Sequence, residues 1–128
     1  MSRAVPITTV PQPSLYAKHR PEVTEKLLAE IIQRIVEAFH PYKIILFGSY
    51  AYGTPHLYSD IDLFIIMDSE EHLIDRIRRV YEVAKEDFLP MDMIVRTPAE
   101  VEERVAIGDF FVIDILNRGK VLYQRDAA

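Results

Sequence analysis

Asp60 and Asp62 stand two residues apart in the run Asp60-Ile61-Asp62-Leu63-Phe64-Ile65-Ile66-Met67, and a third carboxylate, Asp92, sits inside Met91-Asp92-Met93-Ile94-Val95. Side chains alternate along a β-strand, so this spacing puts Asp60 and Asp62 on one face while Ile61 and Leu63 point into a core. The two Cα atoms would then be about 6–7 Å apart, from a rise of about 3.3 Å per residue. Carboxylates converging from that spacing can share one Mg²⁺ or bridge two, and in two-metal sites the ions lie about 3.5–4 Å apart. Mg²⁺ takes hard oxygen ligands and keeps positions for water and phosphate, a demand that two carboxylates and triphosphate oxygens meet. A cation shared among the three aspartates would also offset their repulsion in apolar surroundings. Taken singly, each fits a strand-end carboxylate that reaches water or pairs with Lys43 or Arg96.

A second element of the pattern precedes Asp60. Gly48-Ser49 follows the apolar run Lys43-Ile44-Ile45-Leu46-Phe47 and precedes Tyr50-Ala51-Tyr52-Gly53. Glycine lets a phosphate approach the backbone closely. The Ser49 hydroxyl and the amides of a following helix can donate to phosphate oxygens. Alone, a Gly-Ser pair is an ordinary turn; its weight comes from Asp60, eleven residues after Ser49.

The elements that must position these residues alternate along the chain. Residues 1–20 carry Pro6, Pro11 and Pro13 with no helical or strand period, and are expected to be a flexible tail preceding one domain over 21–128. Pro21 suits a first helical position, and Leu27, Ile31, Ile35 and Phe39, with Leu28, Ile32 and Val36, form a wide apolar stripe that Pro41 ends. Lys43–Phe47 reads as a buried strand, Tyr50–Gly53 as a short helix, and Thr54–Ser59 as a loop. The Asp60–Met67 strand is followed by a helix that Asp68 or Ser69 could cap, with Leu73, Ile74, Ile77, Val80, Tyr81 and Ala84 at helical spacing. Met91–Val95 reads as a third strand. Thr97-Pro98-Ala99-Glu100 is a capping box. Gly108-Asp109 breaks the helix it starts, and Phe110–Leu116 is apolar enough to be well buried. Gly119 suits a helix end, and Val121-Leu122-Tyr123 an edge strand. The fold class is therefore α/β, a layered sandwich on a small sheet of about four strands.

Composition narrows the function. The 128 residues suit one domain, with 49% hydrophobic residues and a formal net charge of −5. An acidic surface argues against non-specific nucleic-acid binding. The absence of cysteine excludes disulfides and thiolate-zinc sites. No apolar run reaches a membrane span and no signal peptide is evident, so a cytoplasmic protein is expected.

Phe47-Gly48-Ser49, Ala51, Gly53, then Ser59-Asp60-Ile61-Asp62-Leu63 and the later Asp92 together resemble the signature of the DNA polymerase beta-like nucleotidyltransferase superfamily. The match is to its minimal nucleotidyltransferases (MNT), and it covers about residues 22–124. The resemblance implies a small nucleotidyltransferase-fold sheet with helices packed on it. It implies that Asp60, Asp62 and Asp92 hold two Mg²⁺ ions, that Gly48 and Ser49 hold the phosphates of ATP or another nucleoside triphosphate, and that Asp92 helps to activate a hydroxyl. That hydroxyl would attack the α-phosphate in line as pyrophosphate leaves. One position departs from the pattern: minimal members often carry a basic residue directly after Gly-Ser, where this chain has Tyr50. Tyr50, Tyr52 and Tyr58 surround the loop; they read as packing or surface aromatics, with base stacking as the functional alternative. His56 has no assigned role.

Larger members of the superfamily add domains for base and acceptor, so a second chain is expected to complete the acceptor site. Minimal members are commonly encoded with an all-helical HEPN protein, often a toxin, and some transfer AMP to a toxin tyrosine as antitoxin. The resemblance thus implies a protein adenylyltransferase with a HEPN-type partner. A small-molecule acceptor, a non-catalytic module that neutralises a partner by contact, and a homo-oligomer stay open. RNA tailing fits poorly with the net charge.

Overall fold

The computed structural model describes residues 21–53, Pro55 and 60–126. The expected tail at 1–20 lies outside these residues, as do Thr54, His56, Tyr58 and Ser59 of the loop before Asp60. The elements are α1 (Glu25–Phe39), β1 (Lys43–Phe47), α2 (Ser49–Tyr52), β2 (Ile61–Ile66), α3 (Leu73–Ala84), β3 (Met91–Arg96), α4 (Pro98–Ala106), α5 (Phe110–Arg118) and β4 (Lys120–Gln124). The four strands form one sheet in the order β3-β2-β1-β4. β1 runs antiparallel to β2 and to β4, and β2 runs parallel to β3. The expected α/β sandwich on a four-stranded sheet is what the chain adopts. Among the described residues no helix is long and apolar enough to cross a membrane.

Alternation along β2 sorts the core into two layers. Ile61, Leu63 and Ile65 pack with Ile31 and Ile35 of α1 and Val80 and Ala84 of α3 on one face. Phe64 and Ile66 pack with Ile45, Phe47, and Val112 and Ile115 of α5 on the other. Because both faces are covered, β1 and β2 read as near-continuous apolar runs. Asp62 shares the parity of Phe64 and so belongs to the α5 face.

Several helix boundaries differ from the expectation, each for a local reason. α1 begins after Thr24 rather than at Pro21, because the Thr24 hydroxyl accepts from the Leu27 amide at 3.0 Å and satisfies a free donor of the first turn. It ends where His40 turns left-handed, its amide donating to Val36 O. α3 has His72 at its start with no side-chain cap. Asp68 instead accepts from the Tyr42 hydroxyl at 2.7 Å, and Ser69 accepts from the Glu71 amide at 3.1 Å. The capping box at Thr97 and Glu100 forms as expected, and the Asp109 carboxylate caps α5.

The buried stripe of α3 is Arg76, Val80 and Ala84, whereas Leu73, Ile74 and Tyr81 are exposed. Arg76 can occupy a core position because Glu100 of α4 meets it bidentately, at 2.5 and 3.2 Å, while its Nε donates to Glu71 O at 2.8 Å. Glu100 also accepts from the Thr97 amide at 2.8 Å, so one carboxylate caps α4 and neutralises α3. Glu100→Ala should therefore cost about 2–3 kcal/mol in denaturant unfolding, from a lost cap and a stranded arginine, with some relief because Glu100 is partly solvated. The hydrogen bond from Arg76 lowers the Glu100 pKa below its ordinary value. A depressed carboxylate stabilises above its unfolded pKa and loses that contribution as pH falls through the folded pKa. Glu100→Gln should accordingly flatten the acid limb of a stability–pH profile.

α5 is only half as buried as its composition suggests. Val112 and Ile115, three residues apart, face the sheet, while Phe110 and Phe111 in its first turn are 86% and 55% exposed. Only one side of the helix meets the sheet, so a continuous apolar run is covered on that side alone. β4 is an edge strand, as expected, and Gly119 before it is needed for closeness: a Cβ there would run into Ile45 and the Ile115 carbonyl.

Candidate active site

The sheet brings two of the three aspartates side by side. β2 and β3 are parallel with Asp62 opposite Asp92, so their side chains leave the same face. Adjacent strands lie about 4.8 Å apart, which keeps the carboxylates close. Asp60 lies just before β2, at the same parity as Asp62. The alternation expected of the pair holds: Ile61 and Leu63 are fully buried, Asp62 is half-buried, and Asp60 is exposed. Asp92 is also exposed.

The electrostatics are those of an uncompensated acidic site. Burial pushes the Asp62 carboxyl up to about 6, and the charges of Asp92 and then Asp60 add to the shift. Lys43 sits opposite Ile66, at the far end of the β1–β2 ladder from Asp62, and Arg96 donates to Val95 O. Among the described residues, none of the three aspartates is in an ion pair.

Gly48 closes the site on the β1 side. Phe47, the last residue of β1, lies opposite Asp62, and the next residue turns into α2. Gly48 has φ 74° and ψ −161°, a conformation that is essentially glycine-only. A Cβ on it would overlap Asp62 Oδ2. The Gly48 carbonyl accepts from the Ala51 and Tyr52 amides at 3.0 and 3.1 Å, which winds the turn into α2 and starts it at Ser49. Glycine is thus required twice, for the left-handed turn and for contact with the half-buried carboxylate.

Two aromatic contacts near this turn were not evident from sequence. Phe111 stands edge-on to Phe47, with ring centroids 5.8 Å apart. The Arg118 guanidinium lies 4.5 Å above the Tyr52 ring. Both partners come from α5, more than sixty residues after the turn, and no local period announces such contacts. Tyr50 and Ala51 pack against the α1–α3 core layer, in line with the packing role expected of Tyr50.

Among the described residues no three acidic or imidazole side chains already form a cage tight enough to hold a metal ion. The donor set nonetheless fits Mg²⁺ in kind. It is all carboxylate oxygen, it lies on one sheet face, and its most buried member is held in an environment that a cation would relieve.

Residues 25–122 match the nucleotidyltransferase domain family. A Methanocaldococcus jannaschii protein named as a candidate protein adenylyltransferase is 32% identical over 111 residues, covering 82% of this chain and 75% of its own length. A crystal structure of a candidate nucleotidyltransferase from Sulfolobus solfataricus superposes with a TM-score of 0.55 at 24% identity, covering 78% of this chain and 79% of that one, a likeness of fold. A chain of the MntA–HpeT toxin–antitoxin complex overlaps more loosely, with a TM-score of 0.49 at 18% identity over 82% of this chain and 76% of that one. The aspartate pair beside the Gly48 turn and the match over most of the sequence lead to one assignment: the chain belongs to the nucleotidyltransferase domain family.

Proposed function

We propose that this protein transfers AMP from ATP to a hydroxyl of a partner protein, a helical HEPN-type toxin, and so acts as its antitoxin in the cytoplasm. The observation that carries the transferase chemistry is the in-register pair Asp62 and Asp92, with Gly48 against Asp62. The choice of a protein acceptor draws on the adenylyltransferase name of the Methanocaldococcus relative. The toxin partner draws on the resemblance to minimal nucleotidyltransferases.

In this reading Asp60, Asp62 and Asp92 hold Mg²⁺, which supplies the positive charge that a triphosphate and a developing alkoxide require. Gly48 gives the phosphates close access to the backbone, and Ser49 donates its hydroxyl to them. The acceptor oxygen forms a bond to the α-phosphorus as the bond to the β-phosphate oxygen breaks, and pyrophosphate leaves. Asp92, exposed at the outer edge of the site, is the carboxylate toward which the acceptor proton moves.

A second reading is a module that neutralises its partner by contact. It is favoured by the exposed apolar side chains Ile107, Phe110 and Phe111 around the α4–α5 turn. One experiment separates the two. The protein, ATP and Mg²⁺ are incubated with the co-purifying helical partner, and the partner's intact mass is read. Transfer predicts a gain of one nucleoside monophosphate per modified site, lost in Asp60→Ala and Asp62→Ala. Neutralisation of the partner that survives both substitutions, with no mass gain, would establish contact as the mechanism. A small-molecule acceptor would show instead as pyrophosphate release that depends on an added small hydroxyl compound, without a change in protein mass.

A further inference from the structure

A triphosphate carries about four negative charges, and it must settle beside three aspartates. Metal ions offset part of that repulsion, but the distal phosphates commonly need a protein cation as well. The residue directly after Ser49 is Tyr50, which brings no charge. The cation that the fold sets against the turn comes from α5. Arg118 lies in the last turn of α5 with its guanidinium 4.5 Å above the Tyr52 ring. Ser49 and Tyr52 are three residues apart on α2, so they lie on the same side of it. Arg118 is therefore held beside the short helix that the Gly-Ser turn starts.

Two features keep this arginine in place yet available. Gly119 packs so closely on Ile45 that the end of α5 is pinned to β1. Asp114, one turn back, meets Arg118 Nη1 alone, at 3.3 and 3.4 Å. That pair is solvent-exposed, with side chains 61% and 44% accessible, so it is weak and easily exchanged for a phosphate. Arginine presents a planar fork of donors, and the Nε and Nη2 groups are not used by Asp114.

We propose that Arg118, stacked on Tyr52, binds the β- and γ-phosphates of the nucleoside triphosphate and takes the place of a cation after the Gly-Ser pair. The assignment rests on the transferase reading above. The test is equilibrium binding to the full chain with Mg²⁺, using a non-hydrolysable ATP analogue and AMP as separate probes, for wild type, Arg118→Ala, Arg118→Lys and Asp62→Asn. Arg118→Ala should weaken the triphosphate by about tenfold or more and AMP by less than about twofold, as expected for loss of a charge-assisted contact to the distal phosphates. Arg118→Lys should fall between, since it keeps the charge but loses the planar fork and the ring stacking. Because Arg118 is a surface residue, an unchanged Tm would verify that the variants are folded. Equal triphosphate affinity in wild type and Arg118→Ala overturns the inference and leaves the transferase reading intact, provided Asp62→Asn weakens binding. Equal losses for the analogue and AMP also overturn it, because they denote a general distortion of the turn. A wild-type protein that binds no triphosphate overturns both.

Discussion

Asp62→Asn should slow transfer steeply and at the same time make the metal-free protein more stable. The folded state holds the Asp62 carboxyl at about 6, above its ordinary value of 3.8, through burial and the charges of Asp92 and Asp60. With the folded pKa raised, the native state binds more protons than the unfolded state between roughly pH 4 and 6. Stability contributed by this group is therefore greatest at acid pH, declines as pH rises through that window, and stays reduced at neutral pH. An asparagine of the same shape removes the penalty. Allowing for solvent screening at a half-buried site, the gain should be about 1 kcal/mol, a Tm rise of roughly 3–6 °C for a chain of this size. The same substitution removes a carboxylate from the candidate metal site and should cost about 10³-fold in the transfer rate. Mg²⁺ should raise the wild-type Tm at neutral pH and do so less below pH 6, and the variant should respond weakly at either pH. Thermal melts with and without Mg²⁺, alongside a transfer assay, check all of this. A variant that is less stable than wild type without metal would mean that Asp62 serves the fold rather than the site.

That trade between stability and chemistry was only half visible in the sequence. Alternation with period two is local, so the shared face of Asp60 and Asp62 could be read directly from residues 60–66. The alignment of Asp62 with Asp92 could not, because it depends on which strands pair, in which direction, and in what register. The family signature supplied the third aspartate where geometry alone left it open. Helix starts followed the same division. Thr97-Pro98-Ala99-Glu100 closes its own hydrogen bonds within four residues and was legible. The buried face of α3 was not, because Arg76 is tolerated in the core only through Glu100, 24 residues later. The exposed phenylalanines of α5 show a similar limit, since apolar composition gives no indication of which side of a helix the sheet covers. Arg118 and Phe111 reach the Gly48 turn by tertiary packing alone, and no spacing rule would have found them.

Gly48→Ala is the other substitution expected to have a large effect, and it reaches the same carboxylate from the backbone side. Two costs coincide at this residue. The backbone must hold φ 74° with ψ −161°, which an alanine adopts only at a cost of about 1–3 kcal/mol. The added methyl must also overlap Asp62 Oδ2, so either the carboxylate or the turn has to move. Because Phe47 lies opposite Asp62, a shift of the turn is transmitted straight to the aspartate pair and to Ser49. A misplacement of about 1 Å at a reacting centre can cost about 10²-fold in rate. Transfer should thus fall by at least that factor, with a simultaneous drop in Tm, in contrast to Asp62→Asn, where Tm and activity move in opposite directions. Gly108→Ala isolates the strain: Gly108 has φ 77°, and among the described residues nothing lies within 4 Å of a Cβ built on it. That variant should lose stability but keep its transfer rate. If Gly48→Ala and Gly108→Ala prove equally active, the close approach of Gly48 to Asp62 has no part in positioning the site.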